Sequence, residues 1–328
     1  METASSRPVA LMRVAGLTPI VIALRRAGAP VRRLLERARL PARVLDRPEA
    51  LIPTGQTARL IDEAAALGDF MNVAAVAARE TPLEALGMFG RRIRRSSTVE
   101  DAIGTAERII PAFDSASRVR MERGTKRVHL FHELDDSIGR GHGLVKEHWG
   151  MLWANALGLA AEPSDDVRQC RGTVSFAPSL LRRALPPLSD PWMDDDDVDA
   201  WEESAPAEDF AGSVLQVIHT LWSKDHPRID TVAGAIGTSV RGLQRRLAAA
   251  GVTFEGLIAR GRFGTAVHLL EETDARILDI ALDLGYSDHA HFTRAFRRWT
   301  GIPPREFRRM SRHVPRTDGR GEHPAGHP

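Results

Sequence analysis

The residues of this chain best suited to chemistry lie towards its C-terminal end, in "LGYSDHAHFTRAFRR" at residues 284–298. At helical spacing Phe292, Ala295, Phe296 and Trp299 share one side, and His289, Ala290, Thr293, Arg294 and Arg297 share the other. The first side asks for a core. The second offers hydrogen-bond donors and positive charge, with no protein partner evident in the sequence. Gly285 marks a turn before this helix, Ser287 is the expected cap, and Asp288 falls in the favourable first turn. Ile277, Ile280, Ala281 and Leu284 belong to a preceding helix that ends at the turn.

The same unit is written earlier, in "IDTVAGAIGTSVRGLQRRLAAAG" at residues 229–251. A helix over about 230–236 ends at Gly237, and Ser239 caps a second helix. Val240, Leu243 and Leu247 form its inward stripe, while Arg241, Gln244, Arg245 and Ala248 face out. A helix, a glycine-containing turn and a second helix with a basic outer face form the helix-turn-helix pattern. The two expected capping serines stand 48 residues apart, joined by a helix over about 253–271. Such a connector, at 1.5 Å per residue, spans ~27 Å. Reading heads so joined suit successive major-groove segments, ~34 Å apart along one DNA face.

The residue types fit double-stranded DNA, a promoter or operator. Arg241, Arg245 or Arg294 can grip guanine O6 and N7 with a bidentate fork; Gln244 can pair with adenine N6 and N7; the Thr293 methyl suits the thymine methyl. A recognition helix presents its N-terminal residues to base edges, and each good bidentate contact discriminates by ~1–3 kcal/mol.

With those residues in place, "RILDIALDLGYSDHAHFTRAFRRWTGIPPREFRR" closely resembles the signature of the AraC-type (arabinose-regulator) transcription factors. The matching elements are Ile280-Ala281, Gly285-Tyr286, Phe292, Arg294, Phe296, Gly301, Pro304 and Phe307-Arg308. "GTSVRGLQRRLAAAGVTFEGLIARGRFGTAVHLLEET" resembles the first half of the same domain, so the likeness covers about 229–309, a quarter of the chain. It implies base-reading positions at Arg241, Gln244 and Arg245 in the first head and at His289, Ala290, Thr293 and Arg294 in the second. Departures are Gly242 inside the first recognition helix, where glycine costs ~1 kcal/mol relative to alanine, Gly261 and Gly264 in the connector, Pro303 where the family often has Ser or Thr, and the apolar Ala290.

The elements that position these heads begin with a helix-rich N-terminal block. Helices are expected from "TPIVIALRRAG" with Thr18 as cap, from "PTGQTARLIDEAAAL", and from "STVEDAIGTAERII" with acids in its first turn. Residues 116–134 change to period two about a turn at Gly124, the mark of a β-hairpin. A helix over 143–160 follows, with Leu144, Leu152, Trp153, Ala156 and Leu157 as its stripe, then a short strand in "GTVSFAPS". This order loosely resembles the effector domain of the ornithine- and arginine-responsive branch of the same family. The expected fold is mostly α with a small β component: a helix-rich α+β N-terminal domain and an all-α C-terminal domain with two helix-turn-helix units.

Charge divides the chain in the same way. Residues 1–188 carry a net +7, residues 189–209 a net −10 with no base, and residues 210–316 a net +6. The expected organisation is an effector or oligomerisation domain over 1–188, an acidic linker over 189–209, a DNA-binding domain over 210–316 and a disordered tail over 317–328. Lysine is nearly absent, with only Lys126, Lys146 and Lys224 against 42 arginines, a bias spread over the whole chain and therefore silent about any one site.

Several chemistries are excluded. "HELDD" at 132–136 lacks the second histidine of a zinc-protease motif, "GRGHG" at 139–143 lacks the spacing and lysine of a phosphate loop, and there is no Gly-x-Ser-x-Gly elbow. His129, His132, His142 and His148 lack metal-ligand spacing, and a single cysteine rules out an intrachain disulfide and a cysteine zinc cluster. No catalytic residue, metal or cofactor is expected. No secretory signal and no apolar run near ~18 residues is present, so a cytoplasmic protein is expected, and the resemblance implies a bacterial one. The resemblance implies a sequence-specific regulator, an activator by family default, with RNA polymerase as a partner and homodimerisation as its assembly, and a small-molecule effector in the N-terminal domain. The alternative is an N-terminal domain serving protein contacts alone. A remote one is a DNA-repair alkyl-acceptor enzyme using Cys170, although "RQCRGT" lacks the Pro-Cys-His-Arg context.

Overall fold

The computed structural model describes residues 7–68, 75–78, 80–135, 142–159, 167–170, 172–185, 195–222 and 226–313. The expected C-terminal tail and parts of the acidic stretch and of "GRGHG" lie outside these residues. The chain divides into two compact units. One comprises residues 1–221 with 227–254, the other residues 222–226 with 255–328.

The first unit is built on α-helices and, among the described residues, two small antiparallel sheets. Its opening elements are β1 (Leu11–Arg13), α1 (Thr18–Arg26), α2 (Val31–Arg37), β2 (Leu51–Pro53) and α3 (Thr54–Ala65). β1 and β2 pair antiparallel, Leu11 opposite Pro53. These strands were not expected: three residues are too few for an alternating pattern to show. In α1, Thr18 is the first helical residue rather than the cap, and no side chain caps this helix.

Next come α4 (Gly87–Arg94) and α5 (Val99–Phe113). Thr98 caps α5, accepting the Asp101 N–H at 3.2 Å, and its inner face is fully buried at Val99, Ala102, Ile103, Ala106, Ile110 and Phe113. The expected hairpin is β3 (Ser117–Arg123) and β4 (Val128–Leu134), paired antiparallel with Val119 opposite His132. Helix α6 (His142–Ala156) follows, then β5 (Val167–Cys170) and β6 (Thr173–Phe176), giving one antiparallel sheet of order β3-β4-β6-β5. Of the stripe expected on α6, Leu152, Trp153 and Leu157 are buried and Ala156 is half-buried; the Leu144 side chain is outside the described residues.

A buried polar chain joins this sheet to α6. The Trp153 indole N–H, which can only donate, points at His132 Nδ1 at 3.1 Å. The His132 proton therefore sits on Nε2, donating to Ser117 Oγ at 3.0 Å, and Ser117 donates to Asp114 Oδ2 at 2.6 Å. Trp149 stacks on the imidazole at 4.5 Å. Burial pulls His132 down to about 3, with the Lys146 and His148 charges acting the same way.

The acidic stretch is not solvated throughout. Residues 195–203 form α7 (Asp195–Glu203), and Trp201 is 4% exposed within the N-terminal core. Arg13, 1% exposed, holds it there. Its guanidinium donates to the carbonyls of Ala112 (2.9 Å), Glu49 (3.0 Å) and Trp201 (2.8 Å) and lies 4.5 Å from the Trp201 ring centroid. Burial lowers Arg13 to about 10, partly opposed by Glu49, so it stays charged at neutral pH. The unit then continues with α8 (Phe210–Leu221), α9 (Ile229–Ala235) and α10 (Val240–Ala249), which pack on one another, while α8 also packs on β2.

The second unit contains most of α11 (Phe254–Glu272), then α12 (Ile277–Asp283), α13 (His289–Thr300) and α14 (Pro304–His313). An aromatic cluster is its core. Phe292 and Phe296 are fully buried with ring centroids 5.7 Å apart, and Phe307 meets Phe296 at 5.3 Å. Phe263 lies 6.0 Å from Phe296 and 5.4 Å from Trp299. Both heads turn on a glycine in the left-handed region, Gly237 at φ +73° and Gly285 at φ +77°, where a side chain would be strained.

The caps differ. Ser239 accepts the Gly242 N–H at 3.1 Å and caps α10 as expected. In the second head Asp288, not Ser287, is the cap, accepting the His291 N–H at 2.8 Å. This contact holds the Asp288 carboxyl below its usual range. Ser287 Oγ instead meets His291 Nδ1 at 3.0 Å. The turn in the second head is thus one residue longer, and carboxylate outranks hydroxyl because it also meets the helix dipole.

Two outcomes follow from these contacts. Ser239→Ala and Asp288→Ala should each cost about 1 kcal/mol in urea unfolding, whereas Ser287→Ala should change little; the reverse order in the second head would contradict the cap assignment. The folded pKa of His132 lies below its unfolded value of about 6.5, so its contribution is present above pH 6.5 and is lost as pH falls towards about 3. Between pH 6.5 and 5 the native protein should lose about 2 kcal/mol more stability than a His132→Gln variant; parallel losses in both proteins would remove His132 as the source.

Candidate nucleic-acid interface

The second helix of each head cannot stand alone. At 10–12 residues, α10 and α13 are too short to be stable in water without tertiary packing, so the buried side decides what the other side offers. In α10, Leu243 and Leu247 are buried at 0% and 1%, and Val240, expected in the same stripe, is half-buried. Arg241, Gln244, Arg245 and Ala248 are exposed. In α13, Phe292, Ala295 and Phe296 are buried, His289 and Arg294 are exposed, and Ala290 and Thr293 are half-exposed. All seven expected base-reading residues therefore lie on the open sides of the two helices.

Among the described residues, Arg241, Gln244, Arg245 and Arg294 make no side-chain hydrogen bond or ion pair. Their donors are unspent. Thr293 differs: its hydroxyl donates to the His289 carbonyl at 2.7 Å, which leaves the methyl as what it can present. Aligning the caps places Arg241 with Ala290, Gln244 with Thr293 and Arg245 with Arg294, so the first head is richer in forked and amide donors.

Gly242 is not the weak point that its helix propensity suggests. It is buried, and a Cβ there would lie 2.6 Å from Thr238 Oγ1. Glycine lets the turn residue close against the helix that Ser239 caps.

Further arginines border the second head. Arg262 lies 5.4 Å from the Tyr286 ring centroid, and an open cleft beside α13 is lined by Arg262, Arg294, Arg297 and Arg298. Outside the expected base-reading set, Arg262, Arg297 and Arg298 suit phosphate contacts. The sequence signalled Arg297 by helical spacing; Arg262 sits on another helix, 32 residues before Arg294, and only the fold brings it there. Arg308 is a structural counterpart, donating to the carbonyls of Leu270 at 3.3 Å and Ala275 at 2.7 Å and tying α14 back to the loop before α12. In the first head Arg246 was also missed. Its guanidinium lies 3.7 Å from the Phe210 ring centroid, and Nη2 donates to the Arg7 carbonyl at 2.5 Å. No group of three or more potential metal ligands occurs among the described residues, and no described helix is long and apolar enough to cross a membrane.

Comparison with known proteins places both parts of the chain. Residues 232–310 match the helix-turn-helix domain family, and residues 28–165 match the arabinose-binding domain found at the N-terminus of AraC transcription regulators. The ornithine utilization regulator of Pseudomonas aeruginosa is 37% identical over 84 residues, which is 26% of this chain and 25% of that protein. The transcriptional regulator VirS of Mycobacterium tuberculosis (strain ATCC 25618 / H37Rv) is 38% identical over 79 residues, 24% of this chain and 23% of that one. The chain thus spans about a quarter of the length of these relatives. Among solved structures, the transcriptional regulator CdpR of Pseudomonas aeruginosa covers 90% of this chain and 98% of its own at 17% identity with a TM-score of 0.35, a likeness too weak to carry weight. With a helix-turn-helix domain at one end and the N-terminal arabinose-binding-type domain at the other, the chain carries both domains of the AraC-type transcription regulators.

Proposed function

We propose that this protein binds double-stranded promoter or operator DNA sequence-specifically, with α10 and α13 as its two reading helices. The observation that carries this is the coincidence, in both heads, of a buried apolar side with an open side of unspent donors. Arg241, Gln244 and Arg245 read one segment of major groove, and His289, Ala290, Thr293 and Arg294 read another. Arg262, Arg297 and Arg298 anchor phosphates. In this reading residues 210–316 act as the DNA-binding domain although the compact units part at residue 254, residues 1–188 sense a small-molecule effector and mediate self-association, and the output is activation through RNA polymerase. The address is the cytoplasm, and no catalysis is part of the reading.

An effector works here only if it binds one conformation or oligomer better than another. Selection from a random duplex library followed by anisotropy titration tests the DNA reading. Arg294→Ala should relax preference at one or two base pairs, by ~1–3 kcal/mol each; uniform weakening on all sequences would reassign Arg294 to phosphate. Affinity should fall steeply between 50 and 200 mM salt, by about a thousandfold or more if six or more phosphates are neutralised, and a flat response would contradict a phosphate-anchored complex.

A further inference from the structure

The two heads differ in the first turn of their reading helices. Aligning the caps, Ser239 with Asp288, sets Gly242 of the first head against His291 of the second. Gly242 is buried and closes its turn, whereas the His291 side chain is 56% exposed. The cap uses the backbone N–H of His291, not its ring, and no expected base reader stands at this position.

The hydrogen bonds around the ring fix its tautomer. Ser287 has one hydroxyl proton, which it donates to Asp288 Oδ2 at 3.4 Å. The 3.0 Å contact between Ser287 Oγ and His291 Nδ1 is therefore donated by the ring. The Asp288 carboxylate, 3.3 Å from the same nitrogen, favours an N–H there. Nε2 is then the open nitrogen, and it makes no hydrogen bond among the described residues. On a neutral ring it is a bare acceptor; only the imidazolium can donate from it.

The surroundings of the ring call for a donor. His291, Arg294 and Arg298 fall at i, i+3 and i+7 on one side of α13 and line the same open cleft. Arg262 from α11 and Arg297 complete its charged lining, Tyr286 is its other titratable group, and no carboxylate among the described residues lines it. Four guanidinium groups draw a DNA phosphate to this place. A neutral ring would turn the Nε2 lone pair towards the phosphate oxygens. Protonation converts that repulsion into a charge-assisted hydrogen bond.

We propose that His291 is a phosphate ligand of the second head that binds as the imidazolium, so that DNA binding takes up a proton from solvent. Asp288 holds one edge of the ring at Nδ1, directly and through Ser287, and the phosphate meets the other edge at Nε2. Affinity is then greatest on the acid side and falls as pH rises through the range in which histidine changes charge. The first head, with glycine at the matching position, has no such dependence. This inference rests on the DNA reading above and adds a proton to it.

The test is DNA anisotropy on the full chain with the duplex selected above, at pH 6 and pH 8 and over a series of salt concentrations. The native protein should bind about three- to fivefold tighter at pH 6. Its salt slope should be steeper there by about 0.9, the mark of one more neutralised phosphate. His291→Gln should bind equally at both pH values, near the native pH 8 level. His291→Arg, charged at both, should also lose the pH difference but keep the tighter affinity; a merely structural role for the ring predicts neither result. His289→Gln should keep the native pH difference whatever its affinity, which separates His291 from the neighbouring histidine of this helix. Equal native affinity at pH 6 and pH 8, or a pH difference that survives in His291→Gln, overturns this inference and leaves the DNA reading intact. A chain that binds no duplex at either pH removes that reading, and this inference with it.

Discussion

Everything the two heads can offer depends on which side of a short helix is withdrawn from water. Burying one leucine or phenylalanine contributes roughly 1.5–3 kcal/mol, and α10 and α13 withdraw Leu243 and Leu247, and Phe292 and Phe296. That is enough to choose one rotation of each helix about its axis over all others. The polar side chains then point outward by default, at 100° steps set by backbone geometry rather than by contacts of their own. This is why long, flexible side chains such as Arg241 and Arg294 can stay unspent: their helix is oriented from behind.

The heads are supported by different means. The second has its own aromatic core, in which Phe263, Phe296, Trp299 and Phe307 converge, and Arg308 closes the last helix onto earlier carbonyls. The first lies in the same compact unit as the N-terminal elements. Helix α10 packs on α8, whose Phe210 meets Arg246, and α8 packs on β2. An arginine held over an aromatic ring and against a backbone carbonyl is a polar joint.

The same principle of a buried cation joining distant segments recurs at Arg13. Its side chain gathers carbonyls from three places in the chain and stacks on Trp201, so a segment carrying ten acids is nevertheless anchored in the core. Three carbonyls satisfy the donors that burial would otherwise leave unpaired, and Glu49 supplies opposite charge at 3.7 Å.

What the sequence determined by itself was whatever depends on near neighbours along the chain. Positive φ at Gly237 and Gly285, the Ser239 cap, the inward stripes, the hairpin around Gly124 and the connector from about 253 to 271 were all legible, because turn preference, capping and periodicity act over a few residues. The fold class and the open placement of the seven residues expected to read bases followed from them. Tertiary structure alone decided the rest. Asp288 displaced Ser287 as cap because the longer turn brings its carboxylate to the His291 amide. Trp201 left solvent because Arg13, 188 residues away, waits for its carbonyl. Arg246 turned from a surface charge into a joint because Arg7, 239 residues earlier, lies beside it. Pairings at such separations carry no local signal: they arise when loop-closure entropy has been overcome by burial elsewhere, and only the packed chain shows which polar groups then meet.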